Sequence, residues 1–175
     1  MQAYGGSKVS SGENGAAGTI YRRTAAQAPG SGSLTIDNNS QSTTAITTLN
    51  DQTATGATVG RIILQNSGKF TIGSDDRLTT STGVAVDVRS GTTLTNNGIL
   101  EVGGTGATIA GTFTSGGRST VNYTGQTNDA TATLINTTYE NLGVNNAGTT
   151  FRIPNAVSTL DVNGNLTLTG GTLTV

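Results

Sequence analysis

The sequence predicts an all-β chain wound as a right-handed parallel β-helix, a β-solenoid of about 19–24 residues per coil with three short strands in each. Three observations predict it. Apolar residues come as pairs separated by one residue, as in Leu142/Val144, Phe151/Ile153, Leu160/Val162, Leu166/Leu168 and Leu173/Val175, which is the period of a strand with one buried face. Between pairs stand Asn and Gly, as in Val144-Asn145-Asn146-Ala147-Gly148, residues that accept the corner conformations others resist. The pairs also return at related intervals, between about 19 and about 24 residues. Leu142 to Leu166 and Phe151 to Leu173 lie at the long end, the series Leu94, Phe113, Ala132 and Phe151 at the short end, and Val121 to Leu142 and Phe113 to Leu134 between them.

Composition points the same way. Of 175 residues only 33% are hydrophobic and 4% aromatic, whereas 35 are Thr, 26 Gly and 16 Asn. A globular core built from this would be thin. Only 11% are charged, with three Glu and two Lys, so the residues that dress exposed helices are missing and no amphipathic helix is expected. A solenoid folds such a chain by pairing each short strand with its equivalents in the coils above and below, which satisfies the backbone along the rod. At about 4.8 Å per coil, roughly seven to nine coils would make a rod about 35 to 45 Å long.

In order, residues 1–18 are a Gly/Ser-rich irregular lead-in, and 19–175 are a single solenoid domain expected to belong to a longer array. Thr19–Arg23 is the first strand, followed by a Pro29-Gly30-Ser31-Gly32 turn and the strand Ser33–Ile36, closed by Asp37-Asn38-Asn39-Ser40. Residues 41–60 are Thr-rich and weakly apolar, and no strand can be set in them. Strands then follow at Ile62–Leu64, Phe70–Ile72, Val84–Val88, Thr93–Thr95, Ile99–Val102, Thr108–Ile109, Phe113, Val121–Tyr123 and Leu134–Ile135. Asn141–Val175 supplies about one and a half coils. The strand pattern is still running at Thr172, Leu173, Thr174 and Val175 without a visible cap, so these four are the candidate edge for end-to-end stacking, on further coils of the same chain or on identical subunits.

Several function classes are disfavoured. The net charge is -1 and the seven Arg are scattered, so no nucleic acid is expected as a partner. No apolar run approaches a membrane span, so no membrane insertion is expected, and Met1–Gly5 lacks the features of a signal peptide. Targeting information is expected outside this chain or already removed. No Cys, one Met and two Lys suit an extracellular or cell-surface location. Without His or Cys, catalysis would fall to carboxylates, and Asp75-Asp76 and Asp87 beside Arg89 are the candidates. A polar corner and a solvated ion pair account for them, so no enzyme and no cofactor are expected. Asp37-Asn38-Asn39 and Asn128-Asp129 offer oxygen ligands but match no calcium loop spacing, and Asx turns explain both. No metal site is expected.

The sharpest pattern is Thr93/Thr95, Thr112/Thr114 and Thr131/Thr133, Thr-x-Thr pairs that return at one constant interval, the short one. Stacked, they would form a flat outward ladder, a candidate binding face for ice-ordered water or sugar hydroxyls. Outward Thr is also the default for a solenoid. Four Asn-x-Ser/Thr sequences begin at Asn38, Asn122, Asn136 and Asn165, a number expected by chance in a chain so rich in Asn and Thr.

Two segments carry a resemblance. Gly15–Asn39, GAAGTIYRRTAAQAPGSGSLTIDNN, resembles the Gly-rich lead, Thr-Ile-Tyr strand and Leu-Thr-Ile-Asp-Asn closure of very large secreted β-helix proteins of Gram-negative bacteria. Tyr139–Val175, from Tyr-Glu-Asn-Leu to Leu-Thr-Leu-Thr-Gly-Gly-Thr-Leu-Thr-Val, is similar to the repeat of giant surface adhesins, including those exported by gliding bacteria. The two cover about a third of the chain. The resemblance implies adhesion, biofilm or surface-layer roles and transfers no catalytic residue. The expected function is a noncatalytic structural or adhesive solenoid segment of a large cell-surface protein, with surface glycans or other cells as partners. The alternatives are a self-stacking filament subunit, an ice-binding or carbohydrate-binding Thr-ladder protein, and a polysaccharide-active β-helix enzyme.

Overall fold

The computed structural model describes residues 3–8, 12–50, 56–81, 83–104, 106–125, 131–135, 138–152 and 159–174. A first strand, β1 (Gly18–Arg22), precedes the turns of the solenoid. The first turn is β2 (Ser33–Asp37), β3 (Thr47–Leu49) and β4 (Ala57–Val59), and the second is β5 (Arg61–Gln65), β6 (Lys69–Ile72) and β7 (Arg77–Thr80). The third is β8 (Val84–Val88), β9 (Thr93–Asn96) and β10 (Ile99–Val102), and the fourth is β11 (Gly106–Ile109), β12 (Thr112–Ser115) and β13 (Thr120–Tyr123). Then come β14 (Thr131–Thr133), β15 (Thr138–Tyr139) and β16 (Asn141–Arg152), which bends into the next turn, and finally β17 (Asp161–Val162) and β18 (Leu166–Thr174).

Equivalent strands stack in parallel and close three sheets around one interior. The first sheet runs β1-β2-β5-β8-β11, the second β12-β9-β6-β3, and the third β14-β16-β13-β10-β7-β4 with β18 also on β16. A short pair, β15 with β17, stands beside them. The fold is the parallel β-solenoid expected, but it makes about five turns rather than seven to nine, or about 24 Å at ~4.8 Å per turn. The chain before Ser33 builds no turn, and the first passage, from Leu34 to its partner Ile62, is the longest between paired strands among the described residues.

The competing repeat lengths are resolved by the corners. The register step from Phe70 to Leu94 is a long one and that from Leu94 to Phe113 a short one, because Gly73–Asp76 joins β6 to β7 and Arg89–Thr92 joins β8 to β9, while only Asn97–Gly98 joins β9 to β10 and Ala110–Gly111 joins β11 to β12, and because β8 carries one extra residue opposite β11. In β16 and β18, Leu142 pairs Leu166 and Phe151 pairs Leu173 as expected. The register shifts between Val144 and Thr150, where the corner of the later turn is shorter and both corners place Gly in the left-handed region, Gly148 at φ 85° and Gly171 at φ 90°.

Other expectations need correction. Phe113 does not stack on Leu134. Among the described residues β12 pairs only with β9, and Leu134 and Ile135 are buried but lie just beyond β14 rather than in a strand. The featureless 41–60 stretch holds β3 and β4, whose inward positions include Thr47 and Ala57 in place of larger apolar residues. β7 was not expected, because Leu78 is its one apolar inward residue and Thr80 fills the next inward position. The Thr80 hydroxyl donates to Glu101 O at 2.8 Å, which removes the cost of burying it. Ile153 and Val175 lie outside the described residues.

At the N-terminal end only the first sheet carries a further strand, and β3 and β4 stand last in theirs among the described residues. β1 pairs antiparallel with β2, placing Thr19 and Tyr21 on the core side and leaving a cavity of about 470 Å³ against Leu34, Leu49, Ala57 and Phe70. The lead-in packs on the first turn: the Asn14 amide donates to Ser42 O, Thr43 Oγ1 to Asn14 O and Thr47 Oγ1 to Ala17 O. Toward the other end, Tyr123 and Tyr139 meet hydroxyl to hydroxyl at 3.1 Å inside the core, and Ile135 N–H donates to Tyr123 Oη at 2.7 Å. Burial, with Tyr139 beside it, pushes the Tyr123 hydroxyl well above its ordinary pKa.

The interior is a set of ladders, of which Leu78, Leu100, Val121, Leu142 and Leu166 form one. Leu100 is fully buried and Leu166 is 47% exposed. Leu100→Ala is therefore expected to cost about 2–5 kcal/mol, and Leu166→Ala about 1 kcal/mol or less. Urea unfolding monitored by circular dichroism measures both; equal losses would contradict this placement of the core.

Candidate functional site

The outward face of the second sheet carries the Thr ladder, differently composed from the one expected. Thr93 pairs Thr112 and Thr95 pairs Thr114, and the Thr114 hydroxyl donates to Thr95 Oγ1 at 3.1 Å. Thr131 and Thr133 do not join them. They belong to β14 and pair with Thr150 and Arg152 of β16. The ladder grows in the other direction instead, where Thr71 pairs Thr95 and Thr48 pairs Thr71. One row thus reads Thr48, Thr71, Thr95, Thr114 and the adjacent row Lys69, Thr93, Thr112. Lys69 turns back to the scaffold, its ammonium donating to Thr43 O at 2.6 Å.

Sequence spacing misses Thr48 and Thr71 because the turns that carry them are longer than the interval at which the visible Thr-x-Thr pairs recur. The usable signal is the inward pair Leu49/Ile72, which sets the register and carries Thr48 and Thr71 outward with it. The ladder offers hydroxyls at the interstrand distance of about 4.8 Å on a flat surface. Its chemistry is hydrogen bonding without charge.

The candidate stacking edge lies on β18. Thr172, Leu173 and Thr174 pair with Thr150, Phe151 and Arg152, so one side of this segment is occupied by the preceding turn. Among the described residues β18 has no strand on its other side. Leu166 and Leu168 continue the interior ladders yet are 47% and 51% exposed.

The acidic candidates are dispersed. Asp75 is exposed and Asp76 buried at the corner between β6 and β7, whereas Asp87 sits on β8 with Arg89 Nε at 3.2 Å from its Oδ2. Asp75 and Asp76 thus stand at a corner between the second and third sheets, and Asp87 on the first. Among the described residues no three acidic side chains are grouped as a metal would require. Asn38, the first of the four sequon asparagines, is fully buried and its amide donates to Gln41 O, so it presents no acceptor for a glycan. Asn136 and Asn128-Asp129 lie outside the described residues.

The most elaborated polar group sits at the corner after β2. Asp37, 7% exposed, accepts from Asn39 N–H at 2.8 Å, from Gln65 Nε2 at 2.7 Å and from Asn66 Nδ2. The Asx turn expected at Asp37 is present in the first of these bonds. Gln65 in turn accepts from Arg89 Nη1 at 2.6 Å. Corners of successive turns are thus tied by side chains as well as strands. Burial works to raise the Asp37 carboxyl, but the bonds from Asn39, Gln65 and Asn66 and the charge of Arg89 outweigh it and hold the group below its ordinary value.

Comparison adds nothing to this geometry: no protein family, curated protein or solved structure matches the chain.

A carboxyl whose folded pKa is depressed stabilises the fold above its unfolded value and loses that contribution as pH falls through the folded one. Stability is therefore expected to fall below about pH 4 more steeply in the natural chain than in Asp37→Asn. Thermal melts across the acid range, from neutral pH downward, compare the two; identical pH profiles would remove Asp37 from this role.

Proposed function

We propose that this chain is a noncatalytic, extracellular, structural and adhesive β-solenoid segment of a large bacterial cell-surface protein. The observation that carries the reading is the outward row Thr48, Thr71, Thr95 and Thr114, side chains projected turn by turn from a stack of paired strands. A rod of this kind holds contact groups at a fixed spacing with little ordering entropy left to lose on contact. Many weak, uncharged contacts on a rigid support suit adhesion to other surfaces, where avidity multiplies modest affinities. The low charge and abundant Thr of the chain, and the resemblance of its two ends to secreted adhesins, support the same reading.

A second reading, a subunit that stacks end to end into a filament, is favoured by the exposure of Leu166 and Leu168 on β18. At the N-terminal end β1 runs antiparallel to β2, so a further parallel strand in the first sheet would have to displace it, which weighs against simple head-to-tail addition on that sheet.

Antibody raised against the purified chain is expected to label intact, unpermeabilised source cells. Beads coated with the chain are expected to attach to cells or glycan-coated surfaces several-fold above uncoated beads. Label found only after lysis would overturn the location, and attachment no better than uncoated beads would overturn the adhesive role. Sedimentation that grows with concentration and is abolished by Leu166→Lys with Leu168→Lys would favour the filament.

A further inference from the structure

The outward face of the first sheet departs from the other two. Outward residues of the second and third sheets are half-buried or exposed, whereas here Ile20 is 8%, Ile63 7% and Asp37 7% exposed. Paired positions explain the composition. Ile20 pairs Thr35, Thr35 pairs Ile63, and Asp37 pairs Gln65. This face is closed over into a groove of about 400 Å³, in which Tyr4 from the lead-in and Arg22 from β1 meet Thr35, Gln65 and Asn66, with Ile20 and Asp37 between them. That volume falls in the range of small-molecule sites.

The polar groups of the groove are already held in place. Asp37 takes one hydrogen from Gln65 and binds the Asn66 amide through both oxygens, and Gln65 Oε1 is held by Arg89. The carboxylate is thereby filled by its own neighbours and works as a positioning residue. What remains unused is uncharged: the second N–H of Gln65, the carbonyl oxygen of Asn66, and the hydroxyls of Thr35 and Tyr4. Asn66 is further fixed by its backbone, at φ 51° with Ser67 at 63°. The surface of the groove is mainly polar, and the exposed Tyr4 contributes to its smaller apolar part. Arg89 supplies the positive charge that bears on Asp37.

We infer that this groove is a binding site for an uncharged pyranose unit of a glycan. Such a ring presents a rim of hydroxyls that both donate and accept, which suits Thr35, Gln65 and Asn66, and a C–H face, which suits the exposed Tyr4. The carboxylate of the groove is taken up by Gln65 and Asn66, and the donors and acceptors left over carry no charge, which suits a neutral ring rather than an ionised one. The inference rests on the adhesive reading and gives it a specific contact, separate from the Thr ladder of the second sheet.

The test is a glycan array probed with the fluorescently labelled full chain, followed by calorimetric titration of the bound saccharides. Glycans ending in neutral hexoses are expected to be retained. Thr35→Val, which removes only a hydroxyl, and Tyr4→Ala, which removes the ring of an exposed residue, are each expected to weaken binding at least tenfold without changing the melting temperature. Thr108→Val, at an exposed position of β11, is expected to leave it unchanged. Retention of no neutral saccharide, selection of uronic or sialic acids alone, or binding untouched by both groove variants would overturn the site. Bead attachment that survives Thr35→Val and Tyr4→Ala would sink this site while leaving the adhesive reading in place. Failure of the natural chain to attach at all would sink that reading instead.

Discussion

Every turn of this rod inherits its register from the turn before it, because the hydrogen bonds of its short strands run along the axis rather than within a local hairpin. A strand of three or four residues cannot hold a conformation alone. Here Thr93–Asn96 is held between Lys69–Ile72 and Thr112–Ser115, and its side-chain faces are fixed by them. A slip of one residue would turn Leu94 outward and Thr95 inward. Inward and outward rows are therefore set together, and slack in chain length appears mainly at corners, with one irregularity inside a sheet where β8 carries an extra residue opposite β11.

The corners are accordingly where the chemistry varies. Asn39 and Ser40, and Asn66 and Ser67, take positive φ without glycine, a conformation that Asn tolerates and that side-chain bonding supports. Ser40 N–H donates to Asn66 O across the two turns. The buried polar residues gather at such places: Asp37 and Asn38 after β2, and Asn96 at the end of β9, with its amide on Thr120 O at 3.0 Å. On the outside of the third sheet, Arg77 meets Glu101 at 2.5 Å and Thr79 donates to the same carboxylate, a cross-turn link on a half-exposed surface. A chain with 33% hydrophobic residues folds because its core is narrow and its buried polar residues, Thr80 and Asn96 among them, find hydrogen-bond partners on neighbouring turns.

Much of this was legible in the residues. Alternating pairs such as Leu142/Val144 and Leu166/Leu168 fixed both strand class and stacking partner, because a ladder of Leu on Leu is strongly preferred over a shifted one. What escaped was whatever lacked an apolar pair. Thr47–Leu49 and Ala57–Val59 offer one large inward side chain each, and β7 offers Leu78 with Thr80, so hydropathy carried little signal there. The Thr ladder was found in kind and misplaced in extent, since the short Thr-x-Thr spacing was a local property of short corners. The antiparallel β1 was seen as a strand in Thr19–Arg23, but its direction depends on the Pro29–Gly32 turn folding it back on β2, which no repeat could announce. The groove under Tyr4 was illegible for the same reason: Tyr4, Thr35 and Gln65 share no period.

Two kinds of surface therefore share one scaffold. Rows such as Thr48, Thr71, Thr95 and Thr114 follow from the repeat, and any residue tolerated outside a strand could occupy them with little effect on the core. The face bearing Ile20, Ile63 and Asp37 does not follow from it. It arises where β1 breaks the parallel order and the lead-in crosses the first turn, so that outward positions become buried. Repetition makes a surface uniform and therefore weakly selective. Selectivity requires unlike groups held together, and among the described residues unlike groups converge in this groove, where β1 breaks the parallel order of the solenoid.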